Sequence, residues 1–415
     1  MTESAPRPAG RAALAFIFVT VFLDVLAIGI VIPVLPKLVE SFVAGDTAHA
    51  ARIYGLFGSV WALMQFFFSP VLGAASDRFG RRPVILASNF GLGLDYIVMA
   101  VAPTLGWLFV GRVLSGITGA SVTPAAAYIA DVTPPERRAA GYGIIGAAFG
   151  LGFILGPAFG GLLGGISPRL PFWVAAAFTL ANALYGLFVL PESLPPERRA
   201  RFRWSRANPV GSLALLRSHH ELFGLASLNF LYWTAHHALT SVYVLYTGYR
   251  YGWGEKTVGL TLAFVGVGSV IVQGGLVRPF VRRFGERAGL ITALACGTFG
   301  FAAYGLAPTG VWFWSAIPVF AIMGLFGPSL QGLMTRRVDH SEQGRLQGAN
   351  TSIMGITGVF APSLHALVFA TFIGPLAGLH LPGAPFLLAS FLLAVGLFVA
   401  LRVTRSAGHG LETHP

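Results

Sequence analysis

Five residues of this chain place ionisable chemistry where it is expensive. Asp24 lies mid-way along one apolar run, Asp95 is set into another, and His236, His237 and His365 sit in further apolar segments. A charged carboxylate at the centre of a bilayer costs roughly 2.5–3.5 kcal/mol, so such a group must face a cavity or a partner and is a functional candidate by default. A carboxyl that takes up and releases a proton there does the work of a proton carrier. The imidazoles titrate nearest to neutrality of all side chains and offer the same chemistry. Each has a structural alternative: Asp24 bonded to a neighbouring helix, Asp95 packed with Asn89 or Tyr96, and each histidine satisfied in a core.

A second kind of chemistry belongs to the stretch GAASDRFGRRP, Gly73 to Pro83, where Asp77, Arg78, Arg81 and Arg82 crowd between two long apolar runs. These charges cannot lie in hydrocarbon, and a loop this rich in arginine stays on the cytoplasmic face. Asp77 stands just before a helix N-terminus and close to the arginines, so it can latch that face of a two-state protein; the alternative is a solvated loop charge or an ordinary cap. Asp131 and Glu136 to Arg138 form a similar cluster, which reads as orientation.

The elements that position these residues follow from composition. The chain is 55% hydrophobic and only 11% charged, with 53 glycines and a mean hydropathy of +0.71, against about 25% charged residues in soluble domains. Allowing about 20 apolar residues per crossing, the sequence predicts helices near 12–35, 53–75, 83–103, 106–130, 140–165 and 171–190 (spans 1–6), then 220–246, 256–281, 287–307, 310–335, 345–372 and 383–403 (spans 7–12). The result is an all-α membrane protein of 12 transmembrane helices in two six-helix halves, 1–190 and 220–415. The only long polar stretch, 191–219, is a cytoplasmic linker between them. The run 12–34 is too long for a signal core of about 7–15 residues and is read as a retained span.

The net charge of +12 suggests acidic partners until its positions are examined. With both termini inside, only Lys37, Arg52, Arg169, Arg250 and Lys256 of the 28 basic residues fall outside, and Arg112 lies within a span. The charge is membrane orientation, not a nucleic-acid footprint. Cys296 is alone, so no disulfide framework or paired thiol site is expected. Neither a Walker loop nor a nucleotide-binding glycine motif occurs, which excludes ATP as the energy source and gives no support to enzyme chemistry. The halves echo one another: GLVRPFVRRFGER, Gly275 to Arg287, occupies the loop after span 8 as Gly73 to Pro83 does after span 2. Repeated six-span halves suit a transporter that rocks about a midplane site. In span 5 the small residues Gly152, Gly156, Gly160 and Gly161 allow close helix approach, and Pro157 removes a backbone donor.

On these strings the chain resembles the major facilitator superfamily, and within it the 12-span tetracycline-efflux type of drug/proton antiporter. GAASDRFGRRP resembles the signature loop, with Gly73, Asp77, Arg78, Gly80, Arg81 and Arg82 as a cytoplasmic gate. FLDVLAIGIVIPVLP (Phe22 to Pro36), LDY (Leu94 to Tyr96) and GRVLSGITGA (Gly111 to Ala120) resemble spans 1, 3 and 4. GAAFGLGFILGPAFGG (Gly146 to Gly161) resembles the antiporter motif of span 5, and QGRLQGANTSIMGITGVFAP (Gln343 to Pro362) falls where that family has a similar string. The resemblance implies proton coupling through Asp24, Asp95 and Arg112; from position alone, Arg112 near a span end can also snorkel. Two titratable residues of the family pattern, a histidine in span 8 and an aspartate in span 9, are replaced by Ser269 and Gly297, which weakens tetracycline as the expected substrate.

The expected function is proton-coupled antiport of amphipathic small molecules by alternating access, a form of multidrug efflux. The runners-up are a proton symporter importing a metabolite and a non-transporting receptor or assembly protein. Gln65, Asn89, Tyr232, Trp233, His236, His237, Gln273, Gln331 and Asn350 are expected at the substrate cavity, because polar groups in spans face the interior. No cofactor and no metal are expected, the proton gradient being the energy source. The partners are the substrate, protons and the bilayer, and the protein is expected to be a monomer in the cytoplasmic (inner) membrane.

Overall fold

The structure, a computed structural model, describes residues 11–119, 122–133, 138–200, 208–218, 220–339 and 342–404. Among them every regular element is helical. That is the solution open to a chain whose apolar runs must satisfy every backbone donor and acceptor without water.

Nine helical stretches among the described residues are long and apolar enough to cross a bilayer. One of them, Glu255–Leu306, passes through the basic loop, and its backbone leaves the helix at Gly285 (φ 80°, ψ 166°), so it is two spans. Leu105–Thr118 with Val122–Val132 makes span 4 and His220–Tyr251 makes span 7, which completes the expected set of 12. Proline and glycine set the interruptions. Span 1, Arg11–Val31, is broken at 32–34 around Pro33 and resumes as Leu35–Phe42. Span 10 runs Gly310–Ala321, tightens to a 3₁₀ turn at Ile322–Leu325 and continues as Phe326–Thr335. Span 8, Glu255–Ile271, widens into a π turn at Val272–Leu276. Span 2, Thr47–Phe79, has 33 residues; at 1.5 Å per residue that is about 50 Å, against a hydrocarbon core of about 30 Å. Asp77 and Arg78 stand at the C-terminal end of the span.

The chain divides into two compact units. The first comprises Met1–Leu38, Val60–Asn208 and Gly254–Ala263; the second comprises Val39–Ser59, Pro209–Trp253 and Phe264–Pro415. The expected linker therefore divides between the units after Asn208. Its arginines 201, 203 and 206 lie outside the described residues, as do Glu136 and Arg137.

In the first unit, span 1 packs along span 5, Arg138–Gly164, on glycine. A Cβ at Gly156 would lie 2.7 Å from the Gly29 Cα, and one at Gly152 would lie 2.7 Å from Val25 Cγ1. Only hydrogen at these positions lets the backbones meet. A buried cluster of Val21, Val25, Ile85, Tyr128 and Ile129 ties spans 1, 3 and 4 together. Gly160 continues this face against Ile30, while Gly161 and the Pro157 carbonyl meet the start of span 8, where a Cβ at Gly161 would stand 2.9 Å from the Gly259 Cα. The second unit is built on aromatic rings. Tyr304 stacks on Phe313 at 4.2 Å, and Tyr246 meets Phe386 edge to face at 4.9 Å while its hydroxyl donates to the Tyr304 carbonyl at 2.8 Å.

Candidate functional site

Three constellations emerge, two in the first unit and one in the second. The first is built on carboxyls inside spans. Asp24, in span 1, is buried and accepts a hydrogen bond from Asn182 Nδ2 of span 6 (Leu170–Val189) at 3.0 Å; the same amide also donates to the Thr20 carbonyl at 3.1 Å. Asp95, in span 3 (Arg81–Val101), is fully buried. Neither of its oxygens closes a well-formed hydrogen bond, and its polar surroundings are the Arg112 guanidinium and the Ser115 hydroxyl of span 4. Arg112 lies over the Trp61 ring, 5.6 Å from its centroid. A cavity of about 30 Å³ opens here, lined by Ile28, Trp61, Tyr96, Arg112 and Ser115 among others. That is room for a water. Gln65 reaches the same place: its Nε2 would lie 3.1 Å from a Cβ at Gly119, which also lines the cavity. Asn89 is buried with its Oδ1 unpaired.

The second constellation is the charged turn after span 2. Gly80, at φ 106°, takes the left-handed backbone that ends span 2 and starts span 3, a conformation glycine adopts without steric cost. Arg81 folds back into the turn. Its guanidinium contacts Asp77 Oδ1 at 2.5 Å, donates to Ser76 Oγ at 2.7 Å, and reaches Asp131 Oδ2 of span 4 at 3.1 Å. Ser76 in turn donates to the Gly73 carbonyl. Arg78 lies over Phe79, and Arg82 donates to the Leu187 carbonyl. The sequence reading missed the residue that caps this turn. Glu192, placed in the linker, accepts the backbone N–H groups of Arg81 (2.9 Å), Arg82 (3.3 Å) and Leu194 (3.0 Å), a carboxylate at the positive end of span 3. Asp131, read as orientation, is part of the Arg81 network. In the second unit Gly285 repeats the positive φ, and Glu286 bonds Arg336 at 2.9 Å.

The third is a cavity of about 220 Å³ among spans 7, 10 and 11 (Gln343–Ile373). Tyr232, Trp233, Gln331 and Asn350 line it, together with Asn229, Phe326 and Met354, which the sequence reading did not name. Tyr232 stacks on Phe326 at 3.8 Å and 2° and on His236 at 5.7 Å and 12°, and Trp233 stands nearly perpendicular to both Tyr232 and His236. His237 lies 6.4 Å from Trp233 between ring centroids. One ring nitrogen of each histidine, His236 Nδ1 and His237 Nε2, is buried without a hydrogen-bond partner, so these side chains back the aromatic wall rather than line the space. His365 is held by the Thr234 carbonyl at 2.9 Å. Gln273 is exposed on the π turn and lines neither cavity. Gly297 is buried, and an added Cβ would displace the side-chain ends of Leu393 (2.7 Å) and Met323 (Sδ, 2.8 Å), whereas Ser269 is half-buried.

Residues 17–362 match the family model described as Major Facilitator Superfamily. The chain is 38% identical over 361 residues to the tetracycline resistance protein, class C, of Escherichia coli, covering 86% of this chain and 90% of that one. Among solved structures it is similar to the human organic anion transporter MFSD10 (TETRAN), with a TM-score of 0.69 and 25% identity over 95% of this chain and all of that one. It shares its fold with the nucleoside transporter NupG, with a TM-score of 0.74 and 14% identity over 95% and 99% of the two chains.

Proposed function

Because the chain belongs to the Major Facilitator Superfamily, a family of multi-pass membrane transporters, we propose that it exports amphipathic small molecules in exchange for protons by alternating access. The observation that supports this reading is what each unit contains. Asp24 and Asp95 are carboxyls buried in the spans of the first, whose Arg112, Tyr96 and Ser115 line a water-sized cavity, while an aromatic and amide-lined cavity lies within the second. Asp95 has Arg112 nearby yet closes no well-formed hydrogen bond through either oxygen, so it is suited to exchange a proton rather than to hold a fixed bridge. Export then draws on roughly 1.4 kcal/mol per pH unit and about 2.3 kcal/mol per 100 mV. The likeness to a tetracycline resistance protein supports the outward direction and the drug class, and Ser269 and Gly297 set this chain apart within that class.

In this reading the protein works as a monomer in the cytoplasmic membrane, with the Asp77–Arg81–Asp131 network and both termini on the cytoplasmic side. It carries its substrate unchanged and uses no cofactor. Everted vesicles loaded by a proton gradient, with a panel of amphipathic drugs and a pH dye, test it. Drug uptake coupled to proton release from the vesicles is the expected result. Co-transport in one direction would make the protein a symporter, and no movement of either would leave a receptor.

A further inference from the structure

The cavity of the second unit has a specific chemical character. Among the described residues no charged side chain lines it. Besides Thr351 and the polar tips of Tyr232 and Trp233, its lining holds three amides joined in a chain: Asn229 Nδ2 donates to Asn350 Oδ1 at 3.1 Å, and Asn350 Nδ2 donates to Gln331 Oε1 at 3.2 Å. The chain is polarised. At one end the Asn229 carbonyl remains to accept, and at the other the Gln331 amide remains to donate. The walls are flat, with Tyr232 and Phe326 parallel and the Trp233 indole at 86° to Tyr232. His236 and His237 touch these rings but do not line the space. At Gly327 an added Cβ would meet nothing within 4 Å, so the missing side chain is part of the cavity.

We infer that this cavity takes an uncharged, planar ring system carrying both a hydrogen-bond acceptor and a donor on its edge. An ion placed here would lose water and gain no counter-charge, whereas a flat ring stacks or packs edge-on against the aromatic walls and finds an amide acceptor at one end of the chain and an amide donor at the other. At about 220 Å³ the space is below the roughly 300–1,000 Å³ of pockets for whole drug-sized ligands. It therefore holds the ring portion of a substrate and leaves any charged arm outside. This rests on the export reading and names the substrate class within it.

The test uses the purified full-length protein in lipid nanodiscs and three fluorescent tricycles of similar size: neutral acridone, with one carbonyl and one N–H, the anion anthracene-9-carboxylate, and cationic 9-aminoacridine. Acridone is expected to bind saturably and at least about tenfold more tightly than either ion. Gln331→Met should weaken acridone about five- to tenfold through one lost hydrogen bond. Gly327→Phe, which projects into open space, should abolish binding with an unchanged melting temperature; if it does not insert, Gly327→Ala should give a graded loss. Equal binding of the ions, or acridone affinity indifferent to Gln331 and Gly327, overturns the inference. If these binding results hold while no variant or wild type exports against a gradient, the export reading fails and the cavity assignment stands; if export proceeds while Gly327→Phe binds acridone as wild type does, the cavity assignment fails alone.

Discussion

Arg81 Nε and Asp131 Oδ2 meet at 3.1 Å across spans 3 and 4, 50 residues apart in the chain. Glu286 and Arg336 meet at 2.9 Å across spans 9 and 10, also 50 residues apart, with acid and base exchanged. The two pairs differ in exposure: the Arg81 side chain is 10% accessible and that of Arg336 is 74%. Removing one partner of a buried pair strands the other, at roughly 3–5 kcal/mol when burial is complete, while an exposed pair contributes about 0–1 kcal/mol. Asp131→Asn should therefore lower stability by about 1–3 kcal/mol, and Arg336→Ala by less than about 1 kcal/mol, read as thermal unfolding in detergent. Equal losses would show that burial does not separate the two.

Asp77 is 43% accessible in its side chain and sits one helical turn before Arg81. Asp77→Asn should leave membrane insertion and stability close to wild type and slow export several-fold, because it loosens a latch rather than a core contact. Initial rates in vesicles, normalised to the amount of protein inserted, measure this. An unchanged rate would reduce Asp77 to a loop charge.

Asp24→Asn and Asp95→Asn should each abolish gradient-driven export while leaving exchange of substrate across equal pH intact, the separation expected of proton-carrying groups. Arg112→Ala should retain export with a flattened response to pH. Paired assays of driven uptake and exchange distinguish coupling from a general loss of transport.

His236→Gln with His237→Gln should raise the KM for aromatic substrates a few-fold, through loss of the ring that stacks on Tyr232. The pH profile of export should stay as in wild type if coupling rests, as proposed, on Asp24 and Asp95. A flattened profile in the double variant would move coupling into span 7.

Gly297→Asp, which restores the acidic residue of the family pattern, should destabilise rather than enable: its carboxyl would enter a buried site against the apolar ends of Leu393 and Met323, neither of which can pair with it. Burying a polar group without a partner costs about 1–3 kcal/mol. Ser269→His, at a half-buried position, should fold. Melting temperatures of the two variants check the contrast.

The spans were legible because hydrocarbon demands length and apolarity, and both are written in composition. The break at Gly285 was legible as well, from the basic residues crowded around Phe284. The irregular turns at 272–276 and 322–325 were not, since Val-Gln-Gly-Gly-Leu and Ile-Met-Gly-Leu are compatible with an unbroken helix. At the cavity, Tyr232, Trp233, Gln331 and Asn350 stood out as polar or amphipathic groups in apolar runs. Asn229 carried the same signal and sits one turn before Trp233. Phe326 and Met354 carried none, because an apolar residue facing a ligand reads like one facing lipid. Gln273 misled for the complementary reason: polarity in a span does not by itself fix its direction. Glu192 was hidden by its neighbours, for a carboxylate among Pro, Ser and Arg resembles ordinary linker until its backbone partners are seen.

The π turn at Val272–Leu276 works as a phase shifter. A turn with i→i+5 bonding accommodates one residue more than its α counterpart, so each position beyond it in span 8 is rotated by about 100° relative to an uninterrupted helix. Arg278, Arg282 and Arg283 thus point to a different azimuth from the one their spacing to Ser269 implies. Deleting a single residue here would turn the whole basic end of the span while leaving its length almost the same, which makes this stretch the place where a one-codon change would re-aim a membrane-surface charge cluster without touching any charged residue.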